Sequence, residues 1–231
     1  GSGLVFLPDP ITSSGAGRYG PPFTDQDDAS YPAIAAEQQV GTLPDLTRQD
    51  GTYRLRNDRI AITDFSPAGH DFPVPTESHP DSFRYDRDDD RFEAVNVYYH
   101  VQRAVDHILA RDPDFETLFD RQLKLSPHGE GARDNSFYTP NRHRISFGDG
   151  GVDDAEDANI IWHELGHALL QEATPGLLES FGWSEGRAFH EGWSDYWAGS
   201  FRRSFQNDYE HDVDWRELFP WDGNNPFWAG R

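Results

Sequence analysis

The strongest periodicity lies between residues 92 and 110, where Phe92, Val95, Tyr98, Tyr99, Gln102, Val105, Ile108 and Leu109 recur at three- and four-residue spacing. That spacing puts them on one face and predicts a long helix over about 92–110, ended before Pro113. Its His100 and His107 lie two turns apart with no third ligand nearby, and are read as structural. A second helical pattern places Ile160, Ile161, Leu165, Ala168 and Leu169 behind the acidic stretch Asp153 to Asp157 and closes at Pro175-Gly176. Acidic side chains favour the positive end of a helix, so a helix is expected over about 155–172. A third is expected after Ser184, running to about Arg203 with Trp193 and Trp197 on its packed side.

Residues 1–90 read differently. They are rich in Pro, Gly and Asp, and their apolar stretches, Leu4 to Leu7, Tyr53 to Leu55 and Ile60 to Ile62, are short, which predicts short strands joined by turns. From Phe137 to Phe147, Tyr138, a Thr-Pro-Asn turn and the run Arg142 to Phe147 before a Gly-Asp-Gly-Gly bend predict an edge strand or hairpin. The expected fold class is α+β in a single domain over 1–231. A β-rich N-terminal portion, 1–90, packs on the long helix, and a helical portion, 91–231, follows. There is no internal repeat.

Charge narrows the function. The 41 acidic against 20 basic residues leave a net charge of −21, which argues against nucleic acid or anionic lipid as partner. The basic set is one lysine, Lys124, and otherwise arginine, and Asp outnumbers Glu 28 to 13. Such a surface suits a salty medium, although simple compositional drift explains it equally well. No apolar run approaches the length of a membrane span and no charged segment precedes an apolar one, so neither membrane insertion nor a signal peptide is expected. Gly1-Ser2-Gly3 reads as a cloning remnant, and the absence of cysteine excludes a disulfide scaffold.

The chemistry concentrates in His163-Glu164-Leu165-Gly166-His167, which stacks two imidazoles on one helical face, where both can bind one Zn²⁺. Glu164 sits about 100° round the helix from His163, able to reach a water beside the metal without being a ligand. Two histidines in a helix are often plain surface, but Glu191-Gly192-Trp193-Ser194-Asp195 adds two carboxylates four residues apart downstream. One can be the third ligand and the other can hold a ligand imidazole from behind.

At this point the chain resembles the gluzincin zinc peptidases, fungalysin-like and thermolysin-like. The likeness runs in order through AVNVYYHVQRAVDHIL (94–109), DNSFYTPNRHRISFGDG (134–150), HELGHAL (163–169) and HEGWSDYWA (190–198), covering about 92–200. The resemblance implies a thermolysin-like catalytic lobe built of long helix, edge strand and two metal-bearing helices. It implies His163, His167 and Glu191 as zinc ligands, Glu164 as general base toward a zinc-activated water, and Asp195 as the residue orienting a ligand histidine. It further implies that Asn135 and the backbone of Ser136 hold the main chain of a peptide or protein substrate, although Asn135 also reads as a turn residue. Secretion is expected on the same ground.

The departures are specific. The family's oxyanion-donating tyrosine has Phe181 or Trp183 in its place, leaving Tyr209 and His211 as candidate donors, and there is no room for the family's second helical lobe. Asp153, Asp154, Glu156 and Asp157 could bind Ca²⁺, but capping of a helix accounts for them as well. The rival readings are a zinc aminopeptidase of the same clan, for which no amine-capturing motif is visible, and a non-catalytic zinc-stabilised binding domain.

Overall fold

The computed structural model describes residues 1–26, 28–68, 72–177, 185–205, 213 and 217–222. The chain begins in a strand, β1 (Ser2–Val5), continues through two short helices, α1 (Pro10–Ser14) and α2 (Pro32–Ala35), and returns in β2 (Gln39–Thr42), antiparallel to β1. Ser2 and Gly3 are paired in this ladder, and the Gly1 amino group donates to the Leu43 carbonyl at 2.7 Å. A Cβ on Gly3 would lie 2.5 Å from Val95 Cγ1 and 2.6 Å from the Phe83 carbonyl oxygen, so the strand approaches its neighbours more closely than any side chain allows.

Strands β3 (Thr47–Gln49) and β4 (Thr52–Arg54) form a hairpin, followed by β5 (Ile60–Ile62) and β6 (Thr76–Glu77), the last pairing with β4. The long helix, α3 (Arg91–Leu109), forms where its periodicity predicts. After it come β7 (Leu123–Gly131), β8 (Phe137–Thr139) and β9 (Arg144–Gly148), then helices α4 (Ala158–Ala173) and α5 (Glu185–Arg202). The described elements make a mixed, α+β arrangement of helices and three sheets. No described helix is long and apolar enough to cross a membrane.

The sheet that matters for the site has the order β5-β7-β9-β8, with β5, β7 and β9 parallel and β8 antiparallel on the outer edge. Residues 60–62 form the short strand expected of them and pair in this sheet, whereas β7, which received no prediction, is one of its two central strands. Buried parallel strands carry no alternation, and β7 mixes Leu123 and Leu125 with buried Ser126, His128 and two glycines, so neither period shows.

Helix α3 is the hub. Asn96, fully buried, accepts the Phe6 N–H at 3.1 Å and donates to the Ala155 carbonyl at 2.9 Å, joining β1's end to the segment before α4. His100 meets the Phe6 carbonyl at 2.8 Å, and burial pulls its pKa down to about 3, which makes it the neutral core residue expected of it. Arg87, 1% exposed, donates from Nε to both Glu156 oxygens at 2.7 and 2.8 Å and from Nη2 to Asp25 and Asp28. This guanidinium gathers three stretches of chain just ahead of α4.

Candidate metal centre

Helix α4 starts because Asp157 caps it, its carboxylate accepting the Asn159 N–H at 2.8 Å. From there the apolar residues Ile161 and Leu165 point into the core while His163 and His167 share the adjacent face, their ring centroids 4.8 Å apart. Helix α5 crosses this face in near backbone contact: a Cβ on Gly166 would stand 2.9 Å from Ser194 Cα. The packed stripe of α5 is accordingly His190, Ser194, Ala198 and Phe201, all buried, whereas Trp193 and Trp197 are only half-buried. Of the two tryptophans expected on the packed side, Trp197 does pack against the core, at the flank of this stripe, and Trp193 is half-buried outside it. Small residues are needed at a crossing this tight, and Trp197 instead stacks beside it on Phe201 at 5.5 Å.

The crossing brings the third donor, a carboxylate, into place. Glu191 Oε2 lies 3.2 Å from His163 Nε2 and 3.6 Å from His167 Nε2. Tetrahedral donors at about 2.0–2.1 Å from one zinc ion would stand roughly 3.3 Å from each other, so the three atoms fit such an ion. Both imidazoles are held from behind: His163 Nδ1 lies 3.0 Å from Asp195 Oδ1, and His167 Nδ1 lies 3.1 Å from Ser194 Oγ. Burial works against charge on His163, but hydrogen bonds to Asp195 and Glu191 outweigh it and hold its pKa up at about 10. Hydrogen bonds from the two imidazoles hold the Glu191 carboxyl well below the usual carboxylate range. The cluster is thus arranged around positive charge.

Glu164 is 5% exposed and lines the cleft in front of these donors. Its Oε2 is buried with no hydrogen-bond partner among the described residues, and burial, only partly offset by the two histidines, raises its pKa. The cleft, about 280 Å³, has β8 as its opposite wall, with Asn135, Ser136, Phe137 and Tyr138 along it. Asn135 is exposed and its Oδ1 accepts the Ser136 N–H at 3.0 Å, while the buried Ser136 hydroxyl donates to Asp154. Tyr209, His211, Phe181 and Trp183 lie outside the described residues.

The acidic run splits into four environments and does not converge on one point. Asp153 groups with His128 and Asp149, Asp154 faces the cleft, Glu156 grips Arg87, and Asp157 caps α4. Sequence reasoning missed Asp134 and Asp222, which join Asp154 on the cleft wall, and the supporting Ser194. Asp222 carries no local signal at all, standing 31 residues beyond Glu191 in the chain.

The Gly166 contact makes a prediction. In Gly166→Ala the added methyl must push α5 away from α4, while alanine's better helix propensity contributes about 1 kcal/mol in the opposite sense. The melting temperature should therefore change little, and zinc affinity should fall by roughly tenfold or more, since displaced support costs on that scale. Competition titration with a chromophoric chelator measures it, and an unchanged affinity would show that the crossing does not set the donor positions.

No protein-family model matches the chain, and no curated protein does. Among solved structures it is similar to a precursor of protealysin, a metalloproteinase from Serratia proteamaculans, at 20% identity and a TM-score of 0.37. The likeness covers 64% of this chain and 44% of that one, so the chain spans less than half that protein's length. A likeness of this size leaves any assignment to rest on the geometry of the site.

Proposed function

We propose that the chain is a zinc-dependent peptidase of the gluzincin type, hydrolysing peptide bonds within polypeptides. The observation that carries this is the pairing of a complete donor set with an orphaned buried carboxylate. His163, His167 and Glu191 would hold the ion, and Glu164 Oε2 stands in the same cleft without a partner. A zinc ion bound there would supply Lewis acidity and lower the pKa of water. Glu164 then accepts the proton of the attacking water and hands it to the leaving amine. Asp195, 3.0 Å from His163 Nδ1, would fix the tautomer that leaves Nε2 free to hold the ion. Strand β8, as the outer strand of its sheet, offers backbone groups to an extended substrate, with Asn135 and Ser136 at its start.

A metal site serving stability alone gives no reason for the Glu164 carboxylate. Leaving a buried acceptor unpaired costs about 1–3 kcal/mol, a cost that a binding domain would shed by substitution and a catalyst must keep. Protein purified without chelator should carry one zinc per chain, degrade casein and lose that activity on chelation. Zinc-loaded protein that leaves casein and a panel of peptides intact would refute the peptidase reading.

Asp195→Ala gives a second check. Removing the carboxylate behind His163 should weaken zinc binding by roughly ten- to a hundredfold, with activity partly restored by excess zinc. Zinc affinity equal to the parent's would remove Asp195 from its proposed role.

A further inference from the structure

Next to the metal donors the same cleft carries a second constellation. Asp134, Asp154 and Asp222 each bring one carboxylate oxygen within 4.8 Å of the others, on the wall shared with Glu164 and His163. Asp154 and Asp222 are 3% and 5% exposed, and Asp134 is exposed at the rim. Asp154 accepts the Ser136 hydroxyl and the Asp222 backbone N–H donates to Asp157 at 3.1 Å, which fixes both in place. Asp222 Oδ1, however, is buried with no hydrogen-bond partner among the described residues. An unpaired buried carboxylate oxygen beside two more carboxylates calls for a cationic donor.

We propose that this trio is a substrate subsite that takes the arginine or lysine side chain of a peptide whose scissile bond lies at the metal centre. The proposal rests on the peptidase reading above and names the substrate class. The flanks favour a side chain over a bare ion. Ile160 and Phe219, both almost fully buried, line the same cleft and suit the aliphatic stem, while the carboxylates meet the charged head. A guanidinium, with five donors in a planar fork, matches several carboxylate oxygens at once. Burial, with mutual repulsion added, raises the pKa of Asp154 and of Asp222, and an arriving cation relieves that repulsion. The net charge of −21 also draws basic peptides toward the protein.

The test uses peptides blocked at both ends, carrying arginine, lysine, the neutral isostere citrulline or leucine at each position around the cleaved bond. At one position kcat/KM for arginine should exceed that for citrulline by about tenfold or more, the scale of a charge-assisted hydrogen bond. In Asp222→Asn, and to a smaller degree in Asp134→Asn, that ratio should fall toward one, with zinc content and melting temperature recorded to separate misfolding from lost recognition. Binding of fluorescein-labelled arginine and citrulline peptides to zinc-loaded Glu164→Gln protein reads the same preference without turnover. Equal handling of arginine and citrulline by the parent, or an undiminished ratio in both variants, overturns the subsite. So does a preference seen only with a free amino terminus, or calcium binding that Asp222→Asn abolishes. Failure to cleave any peptide refutes the peptidase reading, whereas cleavage without charge preference refutes the subsite alone.

Discussion

Glu164→Gln should give a folded protein that binds zinc as tightly as the parent and hydrolyses peptides roughly 10²- to 10⁴-fold more slowly, the usual worth of a positioned base. The amide has the carboxylate's shape, so the packing of α4 is untouched. It also removes a buried charge, which should leave stability equal or slightly higher. What it cannot do is accept a proton. Burial holds the parent carboxyl above its ordinary range, so the base strengthens toward neutral pH and activity should rise with pH through its folded pKa. Casein hydrolysis and zinc content measured on both proteins decide the matter. A Glu164→Gln protein that stays active would take the base role away from this residue, and one that loses zinc would make Glu164 a ligand.

Arg87→Ala should be the most destabilising single change outside the cleft. The guanidinium is fully buried and faces Glu156, Asp25 and Asp28, so its removal strands the fully buried Glu156 carboxylate in the interior, while Asp25 and Asp28 reach solvent. Breaking a buried pair in this way costs about 3–5 kcal/mol, or roughly 6–20 °C in Tm for a chain of this size. The pH dependence identifies the cause. Burial, despite the Arg87 charge, already holds Glu156 at about 7, and losing that charge moves it higher. A carboxyl whose folded pKa is raised stabilises the fold while protonated, so the variant should suffer least at mildly acidic pH and progressively more as pH rises through the folded value. A pH-independent deficit would point to lost packing instead.

The helices were legible because their signals are local. Residues 92–110 and 155–172 carry their own period, the second also its cap in Asp157, and the observed spans begin and end within three residues of those bounds. The convergence of His163, His167 and Glu191 was legible for the same reason, since four-residue spacing in α4 and α5 decides which side chains share a face. Strand β7 was not, because a strand covered on both sides shows no alternation. The acidic trio was not either. Asp134, Asp154 and Asp222 come from three separate segments, and only the closed fold juxtaposes them. The packed side of α5 was legible in part: Trp197 packs on the core, but the centre of the stripe is Ser194, selected by the close approach at Gly166, which only the packed fold reveals.

The contacts of the first twelve residues bear on how the protein reaches this state. Phe6 bonds to Asn96 and His100 of α3, the Pro8 carbonyl accepts the first N–H of α4, and Thr12 Oγ1 accepts from Arg202 at the end of α5, 190 residues away. Closing loops of that span comes at an entropic cost before the contacts reward it, and slows folding. During synthesis β1 can pair at once with β2, whereas Phe6, Pro8 and Thr12 must wait for partners that are made much later. Docking of residues 6–12 against α3, α4 and α5 is then expected late in folding, so burial of that segment and assembly of the His163, His167 and Glu191 cluster should appear together in a refolding experiment.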